Sequence, residues 1–258
     1  VPVLRIGAGR RRAPSELRAL VTTHRPDVVH ASLFAAGLAA RLATAGTGVP
    51  LAHSFTNTPY GPDHLGDPSL VPAKVRAVQA VDALSCRAVW RFHAPAEHVA
   101  DTMARRLRVP RGRVEVIPRA RGVDHLGVPG EERRRAVRRS LGLDEGSEVV
   151  LAMARHEQPK GLDVLVAAFA RLAAQRPAAQ LVVAGREGNR TPALRAAVEA
   201  AGLARRVALL GFRSDVGDLL AAADLLAVPG RREGFPGTVV EAMAMGVPVV
   251  ASDLPGVA

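Results

Sequence analysis

Residues 148–161 read EVVLAMARHEQPKG. Val149 to Ala154 form an unbroken apolar run with no polar alternation, which is how a strand reads when both its faces are covered. Arg155, His156, Glu157 and Lys160 follow at once; Pro159 stiffens the turn and Gly161 permits a tight entry into the helix that begins LDVLVAAF. A buried strand passing through a short charged turn into a helix is half of a βαβ unit. The same grammar recurs downstream in AQLVVAG (179–185), RVALLGF (206–212), DLLAVPG (224–230) and VPVVAS (247–252). Upstream it recurs at Asp27 to Ala31, Val49 to Phe55, Ala88 to Ala94 and Arg113 to Pro118, with helical segments between. The expectation is an α/β chain of two Rossmann-like, doubly wound domains facing across a cleft, with ligands outside the carboxyl ends of the strands.

Between the two sets of strands lies a Gly-rich, charged stretch, Arg119 to Ser147, with one short basic helix inside it. Cutting there gives an N-terminal domain, residues 1–125, and a C-terminal domain, residues 126–258, with a second core starting at Glu148. The chain starts at Val1 and stops just after a strand, so it reads as an interior piece of a longer chain, the first domain incomplete at its start and the second at its end. Gly7-Ala8-Gly9 offers two glycines of a dinucleotide-binding loop, but Arg12 stands in the third position and the stretch is read as a plain loop.

The 258 residues suffice for a core in each domain. A hydrophobic share of 48% and a charged share of 23% fit a soluble globular protein. Apolar runs stop well short of the roughly 18 residues that a membrane span needs. A lone cysteine, Cys86, excludes an intramolecular disulfide and points to a reducing, cytoplasmic setting. The formal net charge of +11 suits a phosphate backbone, but Arg outnumbers Lys by 33 to 2 and only 3% of residues are aromatic, leaving few platforms for bases. Nucleic acid is therefore set aside for anionic small molecules, or for peripheral contact with an anionic membrane at its inner face. No histidine pair has metal-ligand spacing with a third ligand in reach, so neither a protein-bound metal nor a cofactor is expected.

Two stretches are candidates for chemistry. Arg155 and Lys160, at the end of a strand, are placed to hold a diphosphate, a guanidinium fork beside a point charge; the plain alternative is a charged surface loop. The second is EGFPGTVVEAMAMG, residues 233–246. Its helix should begin near Thr238 and end at Met245, with Gly246 as the stop. With Thr238 as N-cap, Glu241 completes a T-x-x-E capping box contributing about 1 kcal/mol, which explains Glu241 without any ligand. It leaves Glu233 unexplained, as well as the Gly237 and Thr238 amides, an anion site at a helix N-terminus. Of the remaining residues, His30 is read as a packed strand-end residue and the run from Arg133 to Arg139 as a solvated helix face.

In order and spacing, R-x4-K-G at Arg155, Lys160 and Gly161, then LVVAG, RVALLGF, AADLLAVP and E-x7-E from Glu233 to Glu241 resemble the C-terminal half of glycosyltransferase family 4, retaining enzymes of GT-B fold. More loosely, RPDVVHASLFAAGLAARLA, PLAHSF, VEVIP and GVD resemble its N-terminal half. The resemblance implies transfer of a sugar from a UDP- or GDP-sugar to a glycan, lipid-linked or small-molecule acceptor, without a metal. It implies that Arg155 and Lys160 neutralise the donor diphosphate, that Glu233 binds sugar hydroxyls and that Glu241 binds the ribose. The Gly237 and Thr238 amides would hold the distal phosphate, with Gly234 and Phe235 in the same loop. The base would lie on backbone groups around Phe212 and Arg213, and His53 would face the sugar. This chain departs from the pattern at Gly230, where serine is frequent, and in IPRARGVD, which carries an insertion. Two other readings stay open: a glycoside hydrolase using Glu233 and Glu241, and a non-catalytic nucleotide-sugar-binding or basic surface-binding fragment.

Overall fold

The computed structural model describes residues 12–68, 70–120 and 122–257. Gly7, Ala8 and Gly9 lie outside the described residues. The chain divides at Arg119/Ala120 into two compact units.

In the first unit a leading helix, α1 (Ala13–His24), precedes β1 (Val29–Ser32), α2 (Phe34–Thr44) and β2 (Leu51–Ser54). A single turn, α3 (Pro62–Leu65), and α4 (Pro72–Ser85) lead to β3 (Arg91–Ala94), α5 (Glu97–Leu107) and β4 (Val114–Val116). The four strands are parallel and lie in chain order, β1-β2-β3-β4. Right-handed crossovers in a sequential sheet put the connecting helices on one face. The core lies there: Leu51 and Phe92 from the strands meet Val75, Val99, Met103 and Leu107 from α4 and α5.

His53 belongs to this buried face. It is 5% exposed, its ring 5.7 Å from that of Phe55 and 6.2 Å from that of Phe92. A Cβ on Gly37 of α2 would fall 2.2 Å from its Cε1. The His53 Nδ1 is buried without a hydrogen-bond partner. Burial, helped by the Arg41 charge, lowers its pKa to about 4. The opposite face of the sheet is polar. His93 Nε2–H donates to the Ile117 carbonyl at 2.9 Å, which leaves Nδ1 to accept the Ser54 hydroxyl at 2.8 Å, and Ser54 Oγ accepts from His30 Nε2–H at 2.8 Å. The expectation of a packed His30 is thus corrected: its ring is exposed and fixed by a hydrogen bond.

The second unit contains α6 (Glu131–Ser140), β5 (Glu148–Met153), α7 (Leu162–Gln175), β6 (Ala179–Ala184), α8 (Thr191–Ala200) and β7 (Val207–Gly211). It continues with α9 (Val216–Ala222), β8 (Leu225–Val228), α10 (Gly237–Ala244) and β9 (Val249–Ala251). Its parallel strand order, β7-β6-β5-β8-β9, is doubly wound. Val149 and Leu151 pack with Leu219, Leu220 and Ala242 of α9 and α10, while Val150 and Ala152 pack with Val166, Phe169 and Leu194 of α7 and α8. The unbroken apolar run at 149–154 is thereby explained, since each of its two sets of side chains enters a different core.

Residues 120–147 are not a spacer. Leu126 is a member of the second unit's core, and a Cβ on Gly217 of α9 would stand 2.0 Å from the Leu126 carbonyl oxygen. The solvated-face reading of Arg133 to Arg139 also needs correction. Arg138 is 4% exposed and donates to the carbonyls of Ala222, Glu145 and Ser147 and to Asp224, with Arg133 bound to Asp218 and Arg134 to Asp224. A guanidinium with five donors is suited to such a junction of loop carbonyls.

Two predictions follow from this packing. Gly217→Ala should lower the stability of the second unit by about 2 kcal/mol through overpacking, whereas Gly146→Ala, with nothing within 4 Å of the added Cβ, should be near neutral; thermal melts of both variants check this. The second concerns pH. His53 is held neutral in the fold, so its contribution is complete above pH 6.5, the unfolded value, and is lost as pH falls toward about 4. The loss is on the order of 3 kcal/mol. Denaturant midpoints measured across that window should therefore slope more steeply for the parent chain than for His53→Gln.

Candidate functional site

β5 and β8 are hydrogen-bonded neighbours whose crossovers leave in opposite directions, so a crevice opens beyond their carboxyl ends. A pocket of about 490 Å³ lies there. Its wall takes Met153 to Arg155 from the end of β5, Ala184 to Arg186 from β6, Phe212 and Arg213 from β7, and Val228 to Gly230 from β8. Lys160, Glu233, Phe235 and the first residues of α10, Gly237 and Thr238, complete it.

The loops after β5 and β8 are locked together. Gly161 has φ +63°, and a Cβ on it would fall 1.9 Å from the Pro229 carbonyl oxygen. The Arg231 amide donates to Pro159 O at 2.8 Å, and its guanidinium donates to Gln158 O at 3.0 Å and to both Asp163 oxygens at 2.8 and 2.7 Å. That hydrogen-bonded pair holds the Asp163 carboxyl below the usual carboxylate range. Across the same seam Lys160 Nζ stands 2.7 Å from Glu233 Oε1, with side chains 28% and 9% exposed. A Cβ on Gly230 would stand 3.0 Å from the same Glu233 oxygen, so the glycine leaves the carboxylate its place.

The predicted site residues thus separate into three groups. Arg155, Lys160, Phe212, Arg213, Glu233, Phe235, Gly237 and Thr238 share the pocket. Gly234 lies within the same loop, between two residues of that wall. Arg155 is exposed and bound to Glu157 at 2.7 Å, and Arg213 is engaged with Asp215 at 2.8 Å. Glu241, one turn further along α10, is 4% exposed, its Oε1 4.0 Å from His125 Nε2. His53 belongs to the first unit, where it lines a separate pocket of about 270 Å³ with Phe55, Tyr60 and Asp82.

The capping-box expectation is overturned. The N-cap of α10 is Pro236, so Thr238 lies inside the first turn and no side chain caps the helix. The glycine stop does occur: Gly246, at φ +69°, follows the last turn. Sequence reasoning missed Arg186, whose guanidinium carbon lies 4.8 Å from the centroid of the Phe212 ring. Its signal was available, a cation two residues beyond the end of β6, in the position that Arg155 occupies beyond β5. Also missed was Arg231, which fixes the loop without lining the pocket. Among the described residues no group of three His, Cys, Asp or Glu side chains is placed to hold a metal ion.

Comparison with known proteins agrees with this geometry. Residues 133–258 match the family model "Glycosyl transferases group 1", and residues 1–120 match "Glycosyl transferase 4-like domain". The chain is 32% identical over 273 aligned residues to the D-inositol 3-phosphate glycosyltransferase of Rhodococcus opacus (strain B4), covering 97% of this chain and 59% of that protein. It is 34% identical over 238 residues to the 2-deoxystreptamine N-acetyl-D-glucosaminyltransferase of Streptomyces fradiae, covering 88% and 55%. The chain therefore spans somewhat over half the length of these curated relatives. Among solved structures, Anabaena Alr3699/HepE in complex with UDP and glucose superposes with a TM-score of 0.81 at 22% identity, covering 94% of this chain and 63% of that one, a likeness of fold. With parallel α/β units of the GT-B type and two family models that leave only residues 121–132 unmatched between them, the chain belongs to the group 1, family 4-type glycosyltransferases.

Proposed function

We propose that this chain carries the donor site and part of the acceptor side of a retaining glycosyltransferase that uses a nucleoside diphosphate sugar. The observation that carries the reading is the wall of the second unit's pocket, where Arg155, Lys160 and Arg186 share one cavity with Glu233 and the amino end of α10. Arg155, Lys160 and a helix N-terminus suit a diphosphate, and the Arg186–Phe212 pair suits a base; one carboxylate held at their edge suits the hydroxyls of the attached sugar.

The chemistry is electrostatic. As the bond from the sugar C1 to the diphosphate oxygen breaks, negative charge grows on the leaving group. Arg155, Lys160 and the Gly237 and Thr238 amides receive it, Arg155 and Lys160 exchanging their carboxylate partners Glu157 and Glu233 for phosphate oxygens. Their charge takes the part that a divalent metal plays elsewhere. The acceptor hydroxyl attacks C1 on the face the diphosphate leaves, its proton passing to the departing diphosphate oxygen, and Glu233 holds the sugar. The base lies against the Arg186–Phe212 stack and the backbone near Arg213, and Glu241 takes the ribose hydroxyls. His53, in the first unit, is held neutral by burial above about pH 4. The UDP complex of the HepE protein favours a UDP-sugar, and the names of the two relatives, an inositol phosphate and a deoxystreptamine glycosyltransferase, favour a hydroxyl of a polar ring as acceptor. A hydrolase would need two carboxyls flanking the sugar; this wall supplies Glu233 alone.

Titration calorimetry without added metal should show UDP binding. Glu241→Ala should weaken UDP more than about tenfold, or about 1.4 kcal/mol, while leaving pyrophosphate affinity intact. Equal losses for both ligands would make Glu241 a structural residue of α10. In the complete protein Lys160→Ala should lower kcat by about a hundredfold or more; turnover within a few-fold of the parent would overturn the mechanism.

A further inference from the structure

A cavity of about 640 Å³, larger than the donor pocket, lies in the first unit between α4, α5 and the loop leading into β4. Five arginines line it, Arg76, Arg87, Arg106, Arg108 and Arg113, and among the described residues no carboxylate does. Arg106 is engaged by the carbonyls of Thr58 and Pro59, and Arg113 lies 5.8 Å from the Phe92 ring centroid. Among the described residues Arg76, Arg87, Arg108 and Arg113 have no ion-pair partner. The nearby acids are already engaged. Arg41 holds Asp82 at 2.6 Å, Arg111 holds Glu97 and Asp101, and Glu115 stands 3.7 Å from Arg91. Guanidinium groups gathered without counter-charge repel one another, and an external anion relieves that repulsion.

Apart from Gln79, which donates to the Arg106 carbonyl, the rest of the lining is apolar or weakly polar, including Ala80, Ala83, Leu84, Val109 and Pro110. From there the surface continues over the outer face of α4, where Ala77, Ala80, Val81 and Leu84 recur at helical spacing and are exposed, Val81 by 48% and Leu84 by 63%. Lys74 and Arg76 flank this stripe; the helix's one carboxylate, Asp82, is turned inward. Trp90, 58% exposed, stands just before β3, three residues along the chain from Arg87 of the cavity wall. An apolar helical stripe bordered by cations, with an exposed tryptophan, has the chemistry of a surface that lies in a lipid headgroup layer.

We propose that this face docks on an anionic membrane, a lipid phosphate seated among the arginines while Val81, Leu84 and Trp90 enter the headgroup boundary. The inference deepens the peripheral membrane contact expected from the net charge and is independent of the donor pocket. An acidic protein or free phosphate would satisfy the arginines and leave the apolar stripe unused.

Flotation of the 258-residue chain with phosphatidylglycerol-containing vesicles and with pure phosphatidylcholine vesicles tests it. The parent should float with the anionic vesicles alone. Arg87→Glu with Arg108→Glu should lower partitioning at least about tenfold, and Val81→Ser with Leu84→Ser several-fold. Arg171→Glu with Arg205→Glu, exposed positions of the second unit with the same change in charge, should stay within about twofold. Unchanged melting temperatures establish that each variant is folded. No flotation of the parent, or equal loss in the Arg171/Arg205 control, overturns the proposal. So does a melting temperature raised by inorganic phosphate in a parent that does not float, which would mark a soluble-anion site. UDP titration of the same proteins keeps the two readings apart: lost flotation with intact UDP binding concerns this face alone, and absent UDP binding concerns the donor site alone.

Discussion

The candidate site depends on how closely two turns of backbone pass each other. The Gly161 Cα approaches the Pro229 carbonyl so nearly that a methyl group would fall 1.9 Å from the oxygen. Only a residue without a Cβ fits, and its φ of +63° adds a second reason for glycine. The approach follows from the topology: β5 and β8 pair in parallel and their crossovers depart to opposite faces, which brings the two following loops together. The ion pairs come after. Lys160–Glu233 and Arg231–Asp163 are partly exposed, and pairs of this kind contribute about 0–1 kcal/mol. They orient side chains on a seam that the backbone has already closed.

Charge is used differently in the two units. In the second, cations stand in the wall of an open pocket. In the first, Arg41, 3% exposed, is bound to Asp82 at 2.6 Å and to Ser85 at 2.7 Å, while its Nε and Nη2 are buried without partners. Tyr60 donates to the other Asp82 oxygen at 2.9 Å, and burial together with that carboxylate raises the Tyr60 pKa. A buried pair with unfilled donors is poor value as a source of stability, because desolvation offsets the attraction. Removing one partner would nevertheless be costly, since it would leave a bare charge inside. Cys86, beside this pair, has its thiol pushed up to about 12 by burial, so it is an inert core residue and not a reactive thiol.

Much of this was legible in the sequence. The strands of the second unit were readable because coverage on both faces leaves an unbroken apolar run, and the pocket-lining loops were readable because cations follow such a run directly at Arg155 and Lys160. What escaped reading was tertiary. Arg138 sits in a run of arginines that looks solvated in one dimension, yet it is buried where three loop carbonyls and Asp224 converge. The T-x-x-E at Thr238 fits a capping box by spacing, but Pro236 sets the N-cap two residues earlier, because a proline tolerates the position just ahead of a helix and donates no hydrogen bond that the cap must satisfy. Arg186 carried a signal in its place beyond β6, but its contact with the ring of Phe212 did not, because the two become neighbours only through the β6–β7 pairing.

The difference in winding carries a functional consequence. A doubly wound sheet opens a crevice wherever its crossovers diverge, so the second unit acquires its pocket from topology, with loops needed only to complete the wall. Among the described residues, the four strands of the first unit run in sequential order, and no such divergence occurs. A pocket there has to be shaped by loops, and the loop after β2 bears the mark of that work: Tyr60 adopts φ +68°, a conformation uncommon for a residue with a bulky side chain, and its amide is held by His64 Nδ1 at 3.1 Å. Loops vary more readily than crossovers. In the first unit the stretch from Phe55 to Tyr60 is therefore the part of the pocket wall most open to change.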